Sequence, residues 1–273
     1  MAPMTSTGDD LMQAEAELWC HAFGYLKSIA LQCAIKLGIP NAIHRCGGAA
    51  SLSELHAALP VAASKGPCLS RLMRFLTASG VFGEEETPAP ADGDAAGSCY
   101  RLTAVSRLLV VPDDDNAGSG HTCLSQLIRL TMSPFHFKAC QSLAEWLQEE
   151  DGTEAETTPL TMAHGASLYD IVGGDVEFGS CFNEAMGSDS RFVAEILFRD
   201  CGEVFTGVTS LVDVGGGDGT MARAIAKAFP HMRCSVLELP HVTEAVPVDD
   251  TVEFVPGDMM EFVPPADAVL LKV

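Results

Sequence analysis

Apolar residues recur at helical intervals from residue 9 to residue 37 (Leu18, Phe23, Leu26, Ile29, Ala30, Cys33, Leu37), and Gly38 with Pro40 just beyond is a stop signal. The pattern predicts one helix of several turns. Its face is more apolar than a small helical domain needs, so part of it is expected to pack against a second subunit. Shorter pieces follow. Ser51 or Ser53 can cap a helix running to Leu59, and residues 67–79 form another with Leu69, Leu72, Phe75 and Leu76 on one side, closed by Gly80. Val81 and Phe82 start an extended segment, an acidic Pro/Gly-rich loop occupies 84–97, and the chain returns at 100–102 ahead of the apolar piece 108–111. Two short helices followed by a hairpin predict a winged helix.

A polar break at 112–120 ends this part. Beyond it, residues 124–130, 137–149, 167–172 and 176–199 carry helical periodicity, with a loop at 151–159. Near Gly207 the pattern changes to continuous apolar runs, the signature of parallel strands buried on both faces. The chain therefore divides into 1–112, helical with a winged-helix core; 113–206, an all-helical connector; and 207–273, the start of an α/β domain.

The composition narrows the function. Apolar residues make up 47% of the 273, yet no uncharged apolar run is long enough to cross a membrane, so a soluble, cytoplasmic protein is expected. The ten cysteines lie singly without a C-x-x-C pair, as expected of reduced, buried thiols, and no His/Cys group has metal-ligand spacing. A net charge of −21 repels phosphate backbones. Over 51–111 five basic residues (Lys65, Arg71, Arg74, Arg101, Arg107) face six acidic ones (Glu54, Glu84, Glu85, Glu86, Asp92, Asp94), so the winged helix lacks the basic stripe that DNA binding requires.

The chemistry lies in 210–272. SLVDVGGGDGTMARAIAKAFP reads as strand, glycine loop and helix, with Gly215, Gly217 and Gly219 allowing tight turns and close approach to a ligand. Gly217, Gly219 and Ala222 also satisfy the dinucleotide pattern G-x-G-x-x-A, so an NAD-dependent dehydrogenase is an open alternative. A second strand at 234–237 ends in Glu238, about twenty residues past the glycines, where a carboxylate can accept ribose hydroxyl protons; this fits NAD and S-adenosylmethionine equally. A third strand at 252–255 leads to Gly257, Asp258, Met259 and Met260, a second acid with soft apolar surface for an adenine. The fourth strand, 266–273, would bring Lys272 out at the carboxyl edge where open sheets bind ligands.

The segments LVDVGGGDGT, LELPHV, FVPGDMM and ADAVLLK, in this order and spacing, resemble the plant small-molecule O-methyltransferases, especially grass enzymes acting on phenolic secondary metabolites. MAHGASLYDI and FNEAMGSDSRF extend the resemblance over nearly the whole chain. It implies a mainly α, winged-helix dimerisation domain followed by an α/β Rossmann-like methyltransferase domain, here incomplete. It further implies S-adenosyl-L-methionine as cofactor and a small phenolic acceptor. By that likeness Gly215 contacts the methionine portion, Glu238 the ribose, Asp258 and Met259 the adenine, and Lys272 the cofactor from the fourth strand. Asp213, Gly217, Gly219 and Leu239 complete the candidate cofactor set, and Met132, Phe135, Phe182 and Met186 are candidate acceptor contacts.

Two departures stand out. The family commonly has Asp where this chain has Glu238. In the family the fourth strand also runs on to a Trp and, four residues after the lysine, a His that deprotonates the acceptor, whereas this sequence stops at Val273. No catalytic base is therefore expected within it; His136, His164, His231 and His241 are expected to be surface or core histidines. An unpaired apolar strand is expected at the carboxyl end. Two functional expectations follow: a phenolic O-methyltransferase lacking its base, acting as a homodimer, or a non-catalytic chain whose dimerisation helices pair with a longer relative. An incomplete gene model is a further expectation for the abrupt end.

Overall fold

The computed structural model describes residues 7–86, 98–112, 122–149, 157–247 and 250–272. The chain forms two compact units, Met1–Val111 and Pro112–Val273.

The first unit begins with α1 (Gly8–Ala22), capped by a reciprocal Thr7–Asp10 box, and α2 (Tyr25–Leu37). The single helix expected over 9–37 is thus interrupted. Phe23 leaves the helical region, and Gly24, which has no side chain and costs about 1 kcal/mol in a helix interior relative to alanine, restarts the chain as the cap of α2. α1 buries none of its own residues, leaving Leu11, Met12, Leu18 and Trp19 exposed.

Then come α3 (Ile39–Arg45), β1 (Ala49–Ser51), α4 (Leu52–Ala58), α5 (Gly66–Ala78), β2 (Phe82–Glu86), β3 (Ser98–Leu102) and α6 (Ala104–Arg107). The sheet is antiparallel with order β1-β3-β2. Ile39, Ile43, Leu55, Leu69, Met73, Leu76, Phe82 and Tyr100 form its core with the helices, the winged-helix arrangement read from the sequence. Of the loop expected over 84–97, residues 84–86 extend β2 and 87–97 lie outside the described residues, as does the break expected at 112–120 beyond Pro112. Residues 108–111 do not form a strand. They follow α6 as irregular chain, and the Asn41 side chain takes the place of a neighbouring strand by donating to Val111 O (2.7 Å) and accepting from Val111 N (3.1 Å).

The second unit opens with α7 (Ser125–Thr131), α8 (Pro134–Gln141), α9 (Leu143–Trp146), α10 (Pro159–His164), α11 (Leu168–Gly174) and α12 (Val176–Asp200). The helix expected over 137–149 is two pieces, α8 and α9, joined at Ser142. α12 has 25 residues, about 37 Å at 1.5 Å per residue, and starts where Asp175 accepts from Glu177 N and Phe178 N.

Four parallel strands follow: β4 (Ser210–Val214), β5 (Arg233–Glu238), β6 (Glu253–Pro256) and β7 (Ala268–Leu271), in the order β6-β5-β4-β7. α13 (Thr220–Ala228) covers one face through Met221, Ala222 and Ile225, and the short α14 (Pro240–Thr243) follows β5. β7 is not unpaired as expected: it runs beside β4 from Leu211↔Ala268 to Val214↔Leu271. Its start is tied by Asp267 Oδ2, which accepts from Thr209 N and Ser210 N. Val269 and Leu271 remain about 60% exposed on the outer strand. No described helix is long and apolar enough to cross a membrane.

Met73 is fully buried in the first unit. Met73→Ala is expected to lower the stability of that unit by about 2–5 kcal/mol in chemical denaturation. A loss well under 1 kcal/mol would show that this core is not what holds the unit together.

Candidate cofactor and acceptor site

Because β4 is covered on both faces, its last residues can reach a ligand only where the strand ends. There the chain turns through 215–219. Gly215 and Gly219 lie at φ +70° and +76°, backbone that favours glycine. A Cβ on Gly219 would also come within 2.9 Å of the Phe254 ring, and one on Gly216 within 2.7 Å of Asp213 Oδ2. The loop is therefore packed tightly against β5, β6 and its own strand. Gly215 N donates to Leu237 O (2.9 Å), and Asp218 Oδ1 accepts from Thr220 N (3.0 Å), capping the start of α13.

The end of β5 closes on this loop. Glu238 Oε2 accepts from Gly217 N at 3.1 Å and Oε1 from Leu239 N at 2.8 Å, so both carboxylate oxygens are anchored while each retains accepting capacity. The extra methylene relative to Asp gives the reach to Gly217. Leu239 is 38% exposed beside it. From β6, Asp258 accepts from Met260 N (2.8 Å), and the Met259 methyl would stand 3.7 Å from a Cβ on Gly215. Loop, carboxylate and thioether thus converge at the carboxyl ends of β4, β5 and β6. Lys272 does not join them directly: its Nζ pairs with Asp189 Oδ2 on α12 at 2.7 Å.

The acceptor candidates lie on the helices. Phe135 on α8 stacks on His164 (centroids 4.0 Å apart) and meets Phe178 (4.6 Å), while His164 Nε2 lies 3.0 Å from Phe135 O. Phe182 and Met186 continue the stripe from Phe178 along α12, each half-buried, and Met132 caps the end of α7. Sequence reasoning missed Phe178, His164 and Asp189. Phe178 was legible, since it precedes Phe182 by one helical turn, whereas the Phe135–His164 stack joins positions 29 residues apart and left no periodic trace.

These groups suit a cationic nucleoside. The fixed Glu238 carboxylate offers acceptors for vicinal hydroxyls, Met259 and Leu239 offer apolar flanks, and the positive-φ glycine leaves the loop open beside them.

Asp213 is the buried charge beneath the loop, 2% exposed, with Oδ2 lacking a hydrogen-bond partner among the described residues. Burial pushes its carboxyl up to about 6, opposed by the Ala222 backbone and the Lys272 ammonium and reinforced by Glu238 and Asp218. Since the folded value lies above the ordinary 3.8, stability is highest below pH 4 for this group and is lost as pH rises through about 6. The loss amounts to about 3 kcal/mol at most. Asp213→Asn removes the titration, so its Tm relative to the parent should climb between pH 4 and pH 7. A difference that stays constant over that range would refute a buried carboxyl titrating near 6.

Comparison with known proteins places this geometry. Residues 19–112 match the O-methyltransferase dimerisation domain and residues 140–273 the O-methyltransferase domain. The chain is 46% identical over 270 residues to acetylserotonin O-methyltransferase 3 of Oryza sativa subsp. japonica, covering 98% of this chain and 70% of the relative. It is 40% identical over 263 residues to trans-resveratrol di-O-methyltransferase of Vitis vinifera, covering 96% and 69%. Human N-acetylserotonin methyltransferase, solved with S-adenosylmethionine, shares the fold at TM-score 0.68 and 16% identity over 99% of this chain and 72% of that one. A match of this extent, over both domains, makes the chain a member of the S-adenosylmethionine-dependent O-methyltransferases of plant secondary metabolism, with the dimerisation domain that goes with them.

Proposed function

We propose that the site serves methylation of a hydroxyl on a small phenolic or related secondary metabolite, in the cytoplasm. The observation that carries this reading is the convergence of Gly215, Met259 and the anchored Glu238 at one sheet edge, within the same compact unit as the half-buried Phe178–Phe182–Met186 stripe. The names of the two plant relatives, acetylserotonin and trans-resveratrol O-methyltransferases, support an acceptor of that class. The cysteines are not the buried thiols expected from the sequence: of the ten, Cys234 is buried, while Cys20, Cys46, Cys68, Cys140 and Cys181 are exposed.

When bound, S-adenosylmethionine supplies an electrophilic methyl group. The protein's part is binding and alignment. Asp213 supports the loop from below, and Gly215, Gly217 and Gly219 let the backbone approach the methionine portion. Glu238 and Leu239 take the ribose, Asp258 and Met259 the adenine, and Lys272 contributes a cation at the same edge. Met132, Phe135, Phe182 and Met186 form the acceptor wall. None of His136, His164, His231 and His241 is proposed as the general base, a role that contributes about 10²- to 10⁴-fold in rate.

Calorimetry should therefore show S-adenosylhomocysteine binding to the chain, and no binding would overturn the cofactor reading. Glu238→Ala should weaken S-adenosylhomocysteine about ten- to hundredfold, the worth of hydrogen bonds to a charged group. Unchanged affinity would remove Glu238 from the ribose.

A second reading, a non-catalytic partner that pairs with a longer relative, is favoured by α1. Leu11 and Leu18, and Met12 and Trp19, repeat at seven-residue spacing and are 53–70% exposed, a seam suited to a helix from another copy. Leu18→Glu with Trp19→Glu should convert a dimer to monomer in light scattering. Co-expression with a longer relative decides between homodimer and heterodimer, and failure to co-purify rejects the latter.

A further inference from the structure

Lys272 follows directly on the Val214↔Leu271 pair, so it leaves the sheet level with Gly215. Two carboxylates compete for its ammonium. One is Asp189, at 2.7 Å, in an ion pair whose side chains are 22% and 30% exposed. The other is Asp213 on the adjacent strand, buried, with an unpartnered Oδ2.

The placement of Asp189 is built into α12. Gly187 lets the helix come close to the start of α13: a Cβ there would stand 3.5 Å from Thr220 Oγ1 and 3.3 Å from Arg191 Nη1. Ser188 is buried and turns its hydroxyl onto Ala185 O at 2.7 Å. Asp189 comes three residues after Met186, on the continuation of the Phe178–Phe182–Met186 stripe. One helix thus carries the acceptor-side residues at one end of the stripe and the partner of Lys272 at the other.

We propose that Asp189 is a positioning residue for Lys272: it draws the ammonium toward α12, keeps it off the buried Asp213, and pins the acceptor-side helix to the edge where loop, Met259 and Glu238 meet. Its relevance to cofactor binding rests on the reading of that edge given above. The lysine stem is long and flexible, so once Asp189 is replaced by a neutral residue the ammonium swings to the carboxylate whose Oδ2 is buried and unpartnered. That carboxylate is Asp213. The other ionisable groups that interact with Asp213 are Glu238 and Cys234 from β5 and Asp218 from the loop; on the adjoining helices Arg223 of α13 lies over the Phe254 ring and Arg191 of α12 stands beside Gly187. Lys272 is the cation that already lowers its carboxyl.

The test reads the Asp213 midpoint from the pH dependence of Tm, as the difference between each background with and without Asp213→Asn. In Asp189→Asn the midpoint should fall by about one pH unit as the ammonium moves inward, whereas in Lys272→Met it should rise. Asp189→Glu should keep the parent value, and Asp189→Ser repeats the measurement if the asparagine variant does not fold. A purely structural role for Asp189 would lower Tm without moving the midpoint. A midpoint unchanged in both neutral variants, or raised as in Lys272→Met, overturns the proposal. Calorimetry with S-adenosylhomocysteine is run on the same proteins, with about a tenfold loss expected in Asp189→Asn and in Lys272→Met and no further loss in the double variant. If the parent chain fails to bind S-adenosylhomocysteine, the cofactor reading fails, while the midpoint shift still decides the positioning of Lys272.

Discussion

The second unit depends on the burial of β4. A strand flanked on both sides by others, with Val212 and Val214 facing one layer and Leu211 the other, can present polar chemistry only where it ends. Everything that distinguishes the site is a response to that constraint. The chain must turn within a few residues, which requires glycines at positive φ. The turn must be supported from beneath, which puts the Asp213 carboxylate in a dry place. Neighbouring strands end at the same level, so their terminal residues, Glu238, Met259 and Lys272, reach the same edge from three directions.

That constraint also explains which parts were legible in the sequence. The runs SLVDV, CSVLE and AVLLK announce buried strands because burial on both faces removes polar positions, and GGGDG announces the turn because few other residues tolerate its backbone. The winged-helix core was legible for a similar reason: Leu69 and Leu76 repeat at helical spacing ahead of a hairpin, although Met73 takes the buried place expected of Phe75, which is exposed. Long-range partners leave no such imprint. Asn41 clasping Val111, Phe135 on His164 and Asp189 on Lys272 join positions 70, 29 and 83 residues apart, and nothing periodic links them. The break at Phe23–Gly24 was missed because apolar spacing continues across it while the backbone does not.

The electrostatics of the edge run counter to simple pairing. Asp213, Asp218, Glu238 and Asp258 gather where a single lysine stands, and that lysine is engaged by a fifth carboxylate on α12. A site assembled for structural stability alone would place the cation on the buried acid, where desolvation makes neutralisation worth most. Here the ammonium sits on the half-exposed Asp189, and the buried acid is left to raise its own pKa. The excess of negative charge and the displaced ammonium are both features that a cationic ligand at the edge would exploit, since it would find acceptors already fixed by backbone N–H groups.

Phe178 near the start of α12 and Asp189 near its middle bear on how acceptor and cofactor would be held in register. A helix is stiff along its axis, so a constraint at Asp189 is felt at Phe178 about eleven residues, or roughly 16 Å, away. Alignment for methyl transfer is demanding, because small misplacements of reacting atoms cost large factors in rate. Anchoring the acceptor-side helix on a residue of the cofactor edge ties the two halves of the site together through Asp189 and Lys272, alongside the packing of α12 on α13. The ion pair is worth little as a contribution to folding at its degree of exposure. Its value lies in geometry: it adds a fixed point at the cofactor edge to the packing of α12 on α7 and α13.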